Sequence, residues 1–384
     1  MKLLLLASEL PPGPGGIGNH AYHLALELQR RGWAVTVVAP QDYAREEEIA
    51  AWSQRQPFEI VRLRRSTLTP TLRLFSWFWR ILGLVLTRRP QLLLASGQRA
   101  TWMAALIARL TGRRLVAVGH GTEFGARGRF ARAANRFGYN HAALVITVSE
   151  YTRRALEEAG LTPAELRVIP NGADASLYQP LPPGEIEELR GQDAVVAPEH
   201  RLLLTVGRVD RRKGQDLVIR AMPQIVRELP DVHYLVVGLP DRAAELQQLA
   251  RELGVEKNVF FLGRQPTSAL VGYYNACDLF VLTSRHTDDG DFEGYGIAVV
   301  EAALCGKPAL VAGDSGLAEA VLDGLTGLVV PPEDPEAIAA HVLRLLRDDA
   351  LRRKLGKNAL DRARAEMSWR RRGGEYHDLL STYC

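Results

Sequence analysis

Cysteine is nearly absent from this chain. Its 384 residues hold three, Cys277, Cys305 and Cys384, with no C-x-x-C spacing. Cysteines so few and scattered provide neither a disulfide framework nor a thiolate zinc site, and they fit a reducing cytoplasm. Long apolar runs are also lacking. Residues 3–7 are apolar, but Glu9 and a Pro/Gly cluster follow at once, so a buried strand is expected there and not a signal peptide. The longest candidate membrane span, residues 68–87, is interrupted by Arg73 and Arg80. A mid-span arginine is costly in hydrocarbon, so no transmembrane helix is expected. The third scarcity is acid: between residues 60 and 149, fifteen arginines face a single carboxylate, Glu123. Either an anionic partner or a generally arginine-rich composition would account for that.

What is present is ordinary for a soluble globular protein, with 47% hydrophobic and 24% charged residues over a length comfortable for two domains. The net charge of +4 is unevenly spread. Residues 1–177 carry 23 Lys/Arg against 13 Asp/Glu, and residues 178–384 carry 25 against 31. Along the chain, continuous apolar strands alternate with amphipathic helices. Strands are predicted at residues 3–7, 35–39, 60–63, 92–95, 115–118, 144–148 and 167–169. In the first helix Ala21, Leu24, Ala25 and Leu28 follow the i, i+3, i+4, i+7 rule, and Gly32 stops it. A softer, proline-bearing connection spans residues 178–200. The alternation then restarts, with strands predicted at 202–206, 234–237, 259–262, 279–282, 309–311 and 328–330, and helices at 335–347, 351–366 and 369–380. This is the pattern of parallel sheets covered on both faces. The fold expected is α/β, with two Rossmann-like doubly wound domains facing a central cleft, since such sheets bind ligands beyond the carboxyl ends of their strands.

Two motifs have more than one reading. Gly13-Pro14-Gly15-Gly16-Ile17-Gly18 matches G-x-G-x-x-G between a strand and a helix, the form of a dinucleotide fingerprint. Pro11, Pro12 and Pro14 lengthen the turn, however, and Asp42 is the only acid near the end of the following strand. A glycine-lined turn at a helix start also suits any anionic or closely approaching ligand, or simply a tight turn. Asp289-Gly290-Asp291 could chelate a divalent metal, but it lies in an acidic, glycine-broken stretch that reads as a solvated loop. No metal and no cofactor are expected.

The second half carries a more specific constellation. Gly207-Arg208-Val209-Asp210-Arg211-Arg212-Lys213-Gly214 follows a strand. Arg208 can grip a phosphate with its planar fork, Lys213 adds a point charge, and Gly214 opens a helix. Downstream, Glu293 and Glu301 stand eight residues apart in Glu293-Gly294-Tyr295-Gly296-Ile297-Ala298-Val299-Val300-Glu301. Glu293 precedes the helix and Glu301 lies about two turns on. The amides near Gly296 and Ile297 form a helix N-terminus suited to a diphosphate, and a buried glutamate can accept two sugar hydroxyls.

The combination closely resembles retaining glycosyltransferase family 4, of the GT-B fold. The resemblance spans nearly the whole chain. It rests on the Pro-Pro…Gly-Gly-Ile-Gly loop, Val148-Ser149-Glu150-Tyr151, Ile169-Pro170-Asn171-Gly172-Ala173-Asp174, the Arg208…Lys213-Gly214 loop and the Glu-x7-Glu pair. It continues through Gly324-Leu325-Thr326-Gly327-Leu328 and Ser368-Trp369. The family's Ser-Gly-Gly-x-Pro-Glu turn is represented by Ser315-Gly316-Leu317-Ala318-Glu319, with one glycine and the proline missing.

The resemblance implies an acceptor-side domain at residues 1–178, a donor-binding domain at 179–368, and a C-terminal helix at 369–384 returning to the first domain. It assigns Arg208 and Lys213 to the donor diphosphate, Glu301 to the ribose and Glu293 to the transferred sugar, with backbone contacts from Gly296 and Ile297. Gly263 and Arg264 fall where the family holds the base, Gly16 lies close to the donor, and His120 contacts the sugar. The expected catalytic set is His120, Glu293, Arg208 and Lys213. The implied reaction is metal-independent transfer with retention from a nucleotide diphosphate sugar to a lipid-linked or saccharide acceptor. Asp291-Phe292-Glu293-Gly294-Tyr295-Gly296-Ile297 resembles the mannosyltransferase members, which favours GDP-mannose over UDP-sugars. A nicotinamide oxidoreductase and a non-catalytic sugar-nucleotide binder are the alternatives.

In the basic region, Arg62, Arg64, Arg65, Arg73, Arg80, Arg88 and Arg89 surround Phe75, Trp77, Phe78 and Trp79. Arg127, Arg129, Arg132 and Arg136 accompany Phe130 and Phe137. Docking on an anionic membrane is one expectation, placing the protein in the cytoplasm at the inner membrane face. A core-facing helix in an arginine-rich protein is the other. No nucleic-acid module is recognisable.

Overall fold

A computed structural model describes residues 1–41, 44–64, 69–125, 128–191 and 194–384. Asp42, Arg65, Arg127 and the first residue of the 68–87 stretch lie outside the described residues. The chain forms two compact units, Met1–Gly172 with Trp369–Cys384, and Ala173–Ser368.

The first unit runs β1 (Lys2–Ala7), α1 (Gly16–Arg30), β2 (Ala34–Pro40), α2 (Glu46–Gln54), β3 (Glu59–Leu63), α3 (Pro70–Arg88), β4 (Leu92–Ser96), α4 (Gln98–Thr111), β5 (Arg114–Gly119), α5 (Arg129–Asn140), β6 (Leu144–Thr147), α6 (Glu150–Glu158) and β7 (Leu166–Val168). Its seven strands are parallel, in the order β3-β2-β1-β4-β5-β6-β7. Strand order reverses between β1 and β4, where ligands of such sheets bind. The apolar stripe of α1 is buried as its spacing predicts, with Ala21, Leu24, Ala25 and Leu28 all inaccessible. Gly18, in its first turn, packs so closely on the backbone of Glu9 and Leu10 that a Cβ would crowd it.

The second unit runs α7 (Pro183–Gly191), β8 (Arg201–Val206), α8 (Gln215–Glu228), β9 (Val232–Val237), α9 (Ala243–Glu252), β10 (Val259–Gly263), α10 (Thr267–Ala276), β11 (Leu279–Leu282), α11 (Ile297–Leu304), β12 (Ala309–Ala312), α12 (Leu317–Ala320), β13 (Gly327–Val330), α13 (Pro335–Arg347) and α14 (Asp349–Glu366). Six parallel strands lie in the order β10-β9-β8-β11-β12-β13, with the reversal between β8 and β11. Strands and helices close on a core that includes Leu203, Val218, Ile219, Val236, Val281, Leu310, Ile338 and Leu345. Burying each such side chain contributes about 1.5–3 kcal/mol.

Helix α15 (Trp369–Ser381) belongs to the first unit and packs on α1. Trp33 Nε1 donates to His377 Nδ1 at 2.9 Å, and His20 Nε2 meets the Tyr376 hydroxyl at 3.1 Å. Residues 173–178, expected with the first domain, sit in the second unit, where Tyr178 lies edge-on to Tyr274 with ring centres 5.6 Å apart.

Candidate functional site

In the second unit, the segment leaving β8 and the segment leaving β11 are neighbours because their strands pair directly, Leu279 with Leu203 and Phe280 with Leu204. The first segment turns sharply at Gly214, whose φ of 70° is left-handed. A Cβ at Gly214 would strike the carbonyl of Thr283, so glycine is required for this approach. The Thr283 hydroxyl donates to the Gly214 carbonyl at 2.8 Å, and the Arg285 amide donates to the Arg212 carbonyl at 2.8 Å.

That stitching brings Lys213 and Glu293 together. Lys213 Nζ lies 2.6 Å from Glu293 Oε2, and each side chain is 12% exposed. Arg212 Nη1 reaches the same oxygen at 2.5 Å. Burial alone would raise the Glu293 carboxyl, but Lys213 and Arg212 overcome it and pull its pKa down to about 2. Arg212 also places Nε 3.1 Å from Asp291 Oδ2 and Nη2 4.0 Å from Asp210 Oδ2. Asp289 accepts the Thr287 hydroxyl at 2.5 Å. Asp291 is therefore engaged by a guanidinium and Asp289 by its own loop.

Glu301 sits in α11, buried, and accepts from the Tyr274 hydroxyl at 2.6 Å, with the Tyr178 phenol near enough to act on its charge. Burial raises its carboxyl, and the two tyrosines and the charge of Lys213 oppose that rise. Helix α11 starts from Gly296, at φ 86°, which places Ile297 first in the helix. The first-turn amides of a helix have no intrahelical partner, so this end carries partial positive charge. Gly316 fixes the approach: its amide donates to the Glu293 carbonyl at 3.0 Å, and a Cβ on it would collide with the carbonyl of Gly294.

Arg208 stands apart from this cluster, with Nη1 3.6 Å from Asp241 Oδ2 and both side chains about half exposed. Gly263 ends β10 at φ 66°, and its carbonyl accepts from the Gly238 amide at 2.9 Å; Arg264 follows it, exposed.

In the first unit, His120 directly follows β5, buried, with Nε2 2.9 Å from the Ser96 hydroxyl. Burial lowers its pKa to about 4, so the ring is neutral at neutral pH. His20 lies edge-on to it, ring centres 4.9 Å apart. Glu123, the lone acid of the basic stretch, is buried and accepts from the His120 amide at 2.8 Å and the Tyr139 hydroxyl at 2.9 Å. Its role is internal: it caps the turn that carries His120. Gly16 is the first residue of α1, after Gly15 at φ 138°.

Arg212, Tyr178, Tyr274 and His20 were not singled out in the sequence. Within Arg211-Arg212-Lys213 nothing local distinguishes an arginine that faces inward from one that faces solvent. The tyrosines reach Glu301 only through tertiary packing.

A family model described as Glycosyltransferase Family 4 matches residues 14–177, and one described as Glycosyl transferases group 1 matches residues 188–362. The chain is 31% identical to the GDP-mannose-dependent alpha-(1-6)-phosphatidylinositol monomannoside mannosyltransferase of Mycolicibacterium smegmatis, over 99% of this chain and 98% of that one. It is 27% identical to the corresponding monoacylated-substrate mannosyltransferase of Corynebacterium glutamicum, with the same coverage. Among solved structures, Anabaena HepE in complex with UDP and glucose superposes with a TM-score of 0.84 at 25% identity, covering both chains completely.

Proposed function

Given that the chain belongs to glycosyltransferase family 4, and is thus a glycosyltransferase that uses a nucleotide sugar, we propose that its second unit seats GDP-mannose and releases the mannosyl group with retention. The observation that carries this reading is the Lys213–Glu293 pair, 2.6 Å apart, at the reversal of strand order. Departure of the nucleoside diphosphate places negative charge on the leaving oxygens. Lys213, Arg208 and the N-terminus of α11 are the groups proposed to stabilise it, as preorganised charges and dipoles that need no rearrangement. Glu293 takes the transferred sugar, and Glu301, steadied by two tyrosines, takes the ribose hydroxyls. Gly263 and Arg264 are assigned to the base. Gly16 and His120 are assigned further donor contacts, the neutral imidazole offering a hydroxyl an uncharged partner. With no nucleophile assigned, attack proceeds on the same face as departure, and the leaving phosphate accepts the acceptor's proton.

Support for mannose comes from relatives named as GDP-mannose-dependent mannosyltransferases. The HepE complexes with UDP and with UDP-glucose favour a second reading, a UDP-sugar donor. A thermal-shift screen against GDP, UDP, GDP-mannose and UDP-glucose, followed by product NMR, decides between them, because a bound donor raises the midpoint by mass action. A midpoint raised by UDP alone removes GDP-mannose, and an inverted anomer in the product removes retention.

We further propose a lipid-linked acceptor reached at an anionic membrane surface. Among the described residues no helix is long and apolar enough to cross a membrane. Helix α3, however, exposes Phe75 at 60% and Trp79 at 55%, with Leu72 and Leu86 in the same stripe, and α5 exposes Phe130 at 79%. Exposed arginines Arg80, Arg88, Arg129, Arg132 and Arg136 lie on the same two helices. Aromatic insertion beside arginines suits anionic headgroups. Co-sedimentation with vesicles should rise with phosphatidylinositol content, and insensitivity to it would remove this proposal.

A further inference from the structure

Glu293 is held by two cations, and only one of them belongs to the expected diphosphate site. Both reach Oε2, and among the described residues no protein group bonds Oε1. If Lys213 were the sole counter-ion of Glu293, a diphosphate drawing on Lys213 would compete with a carboxylate that burial penalises. Arg212 removes that conflict. Its side chain is 18% exposed and brings its nitrogens within 4.0 Å of three carboxylates, hydrogen-bonded to Glu293 and ion-paired with Asp291 on the segment leaving β11 and Asp210 on the segment leaving β8. Asp210 in turn accepts the Lys213 amide at 3.0 Å, which fixes the turn from which both cations project. The planar guanidinium suits such a fork where an ammonium does not.

We propose that Arg212 is a positioning residue that clamps the Asp291–Glu293 segment, holding Glu293 oriented and charged so that Lys213 is left to the donor diphosphate and Oε1 to the transferred sugar. This rests on the donor-site reading given above. The main-chain path does not depend on the clamp, because the Arg285 amide already bonds the Arg212 carbonyl and the Arg285 side chain bonds the Arg211 carbonyl at 3.0 Å. Truncating the side chain therefore removes the fork and leaves the loop attached. The charged groups facing Glu293 are Lys213 and Arg212, with Asp291 and Asp210 behind Arg212.

The test measures nucleoside diphosphate release from GDP-mannose, with UDP-glucose in parallel, for the wild type, Arg212→Ala, Arg212→Lys, Arg211→Ala and Glu293→Gln between pH 2 and 8. Arg211 is the charge-matched control, since its side chain is exposed. Arg212→Ala should lower kcat/KM roughly ten- to a hundredfold and move its acid limb upward by about one pH unit or more, as Glu293 loses a counter-ion. Arg212→Lys should restore the limb while recovering only part of the rate, and Arg211→Ala should stay within about twofold of the wild type. Should Arg212→Ala fold poorly, Arg212→Lys alone carries the test, its rate deficit at an unshifted acid limb being the expected result. Wild-type constants and an unshifted limb in Arg212→Ala, or equal losses in Arg211→Ala and Arg212→Ala, overturn the proposal. Full turnover in Glu293→Gln would instead remove the donor-site reading beneath it. An inactive Glu293→Gln beside a normal Arg212→Ala would remove the clamp alone.

Discussion

Replacing Arg208 by alanine separates what this residue contributes to folding from the role in transfer proposed for it. Its guanidinium lies 3.6 Å from Asp241, with the two side chains 45% and 52% exposed. A pair that exposed contributes about 0–1 kcal/mol to stability, screened by salt. The main-chain carbonyl of Arg208, which accepts from Gln215 Nε2 at 3.0 Å, is untouched by the substitution. The melting temperature should therefore fall by no more than about 2–4 °C. The transition state is another matter. One lost preorganised donor at a developing anion costs about 2.7–4 kcal/mol, or 10²–10³ in kcat. A loss of that size cannot come from unfolding, because a domain stable by about 5–15 kcal/mol stays overwhelmingly folded after losing 1 kcal/mol. The assay pairs steady-state release of nucleoside diphosphate with a thermal melt of the same preparation. Asp241→Asn is the companion, expected to keep kcat/KM within about twofold because it breaks the same surface pair and spares the cation. Turnover of Arg208→Ala within about threefold of the wild type would refute the reasoning, as would a collapse in melting temperature large enough to explain the lost rate.

Other consequences are as specific. Because Glu293 has its pKa lowered from 4.5 to about 2 in the folded state, its stabilising contribution is complete above pH 4.5 and lost as pH falls toward 2. Urea titrations at pH 7 and pH 3 should find the wild type losing more stability than Glu293→Gln, by about 2 kcal/mol, and equal losses would contradict the pairing. Tyr274→Phe removes one of the two phenols on Glu301, so it should cost about 1.5–3 kcal/mol of stability and raise the donor KM. An unchanged melt and KM would deny Tyr274 that role. Gly316→Ala drives a Cβ into the Gly294 carbonyl and should cost about 1–3 kcal/mol with a clear loss of kcat. Gly324→Ala, strained at φ 69° but in open space, should lose stability with little change in kcat.

Much of the molecule is legible along the chain because the governing interactions are local. Apolar strands alternating with striped helices dictate parallel sheets, and the stripe of Ala21, Leu24, Ala25 and Leu28 is buried as the spacing requires. The left-handed glycines that open helices, Gly214 and Gly296, stand beside the residues they serve. The Glu293-x7-Glu301 spacing is visible in the chain, but Glu301 is the fifth residue of α11, about one turn in, and the loop before Ile297 sets the rest of the span. The basic stretch with its single acid was equally visible, yet its two halves have different explanations. Glu123 is turned inward to cap the His120 turn, while Phe75, Trp79 and Phe130 stay on the surface.

What needed the tertiary structure is which strands became neighbours. The residues between Val206 and Lys213 say nothing about residue 293 until β8 pairs with β11. Only then do Arg212 and Lys213 share one carboxylate oxygen while Asp291 turns to the guanidinium. The phenols on Glu301 come from Tyr178 and Tyr274, nearly a hundred residues apart, and the partner of His20 is Tyr376 on the last helix. Local propensity and periodicity act over a few residues, so they set elements and their faces. Ion pairs and buried hydrogen bonds form wherever folding brings groups within about 3 Å, and sequence separation carries no information about that distance.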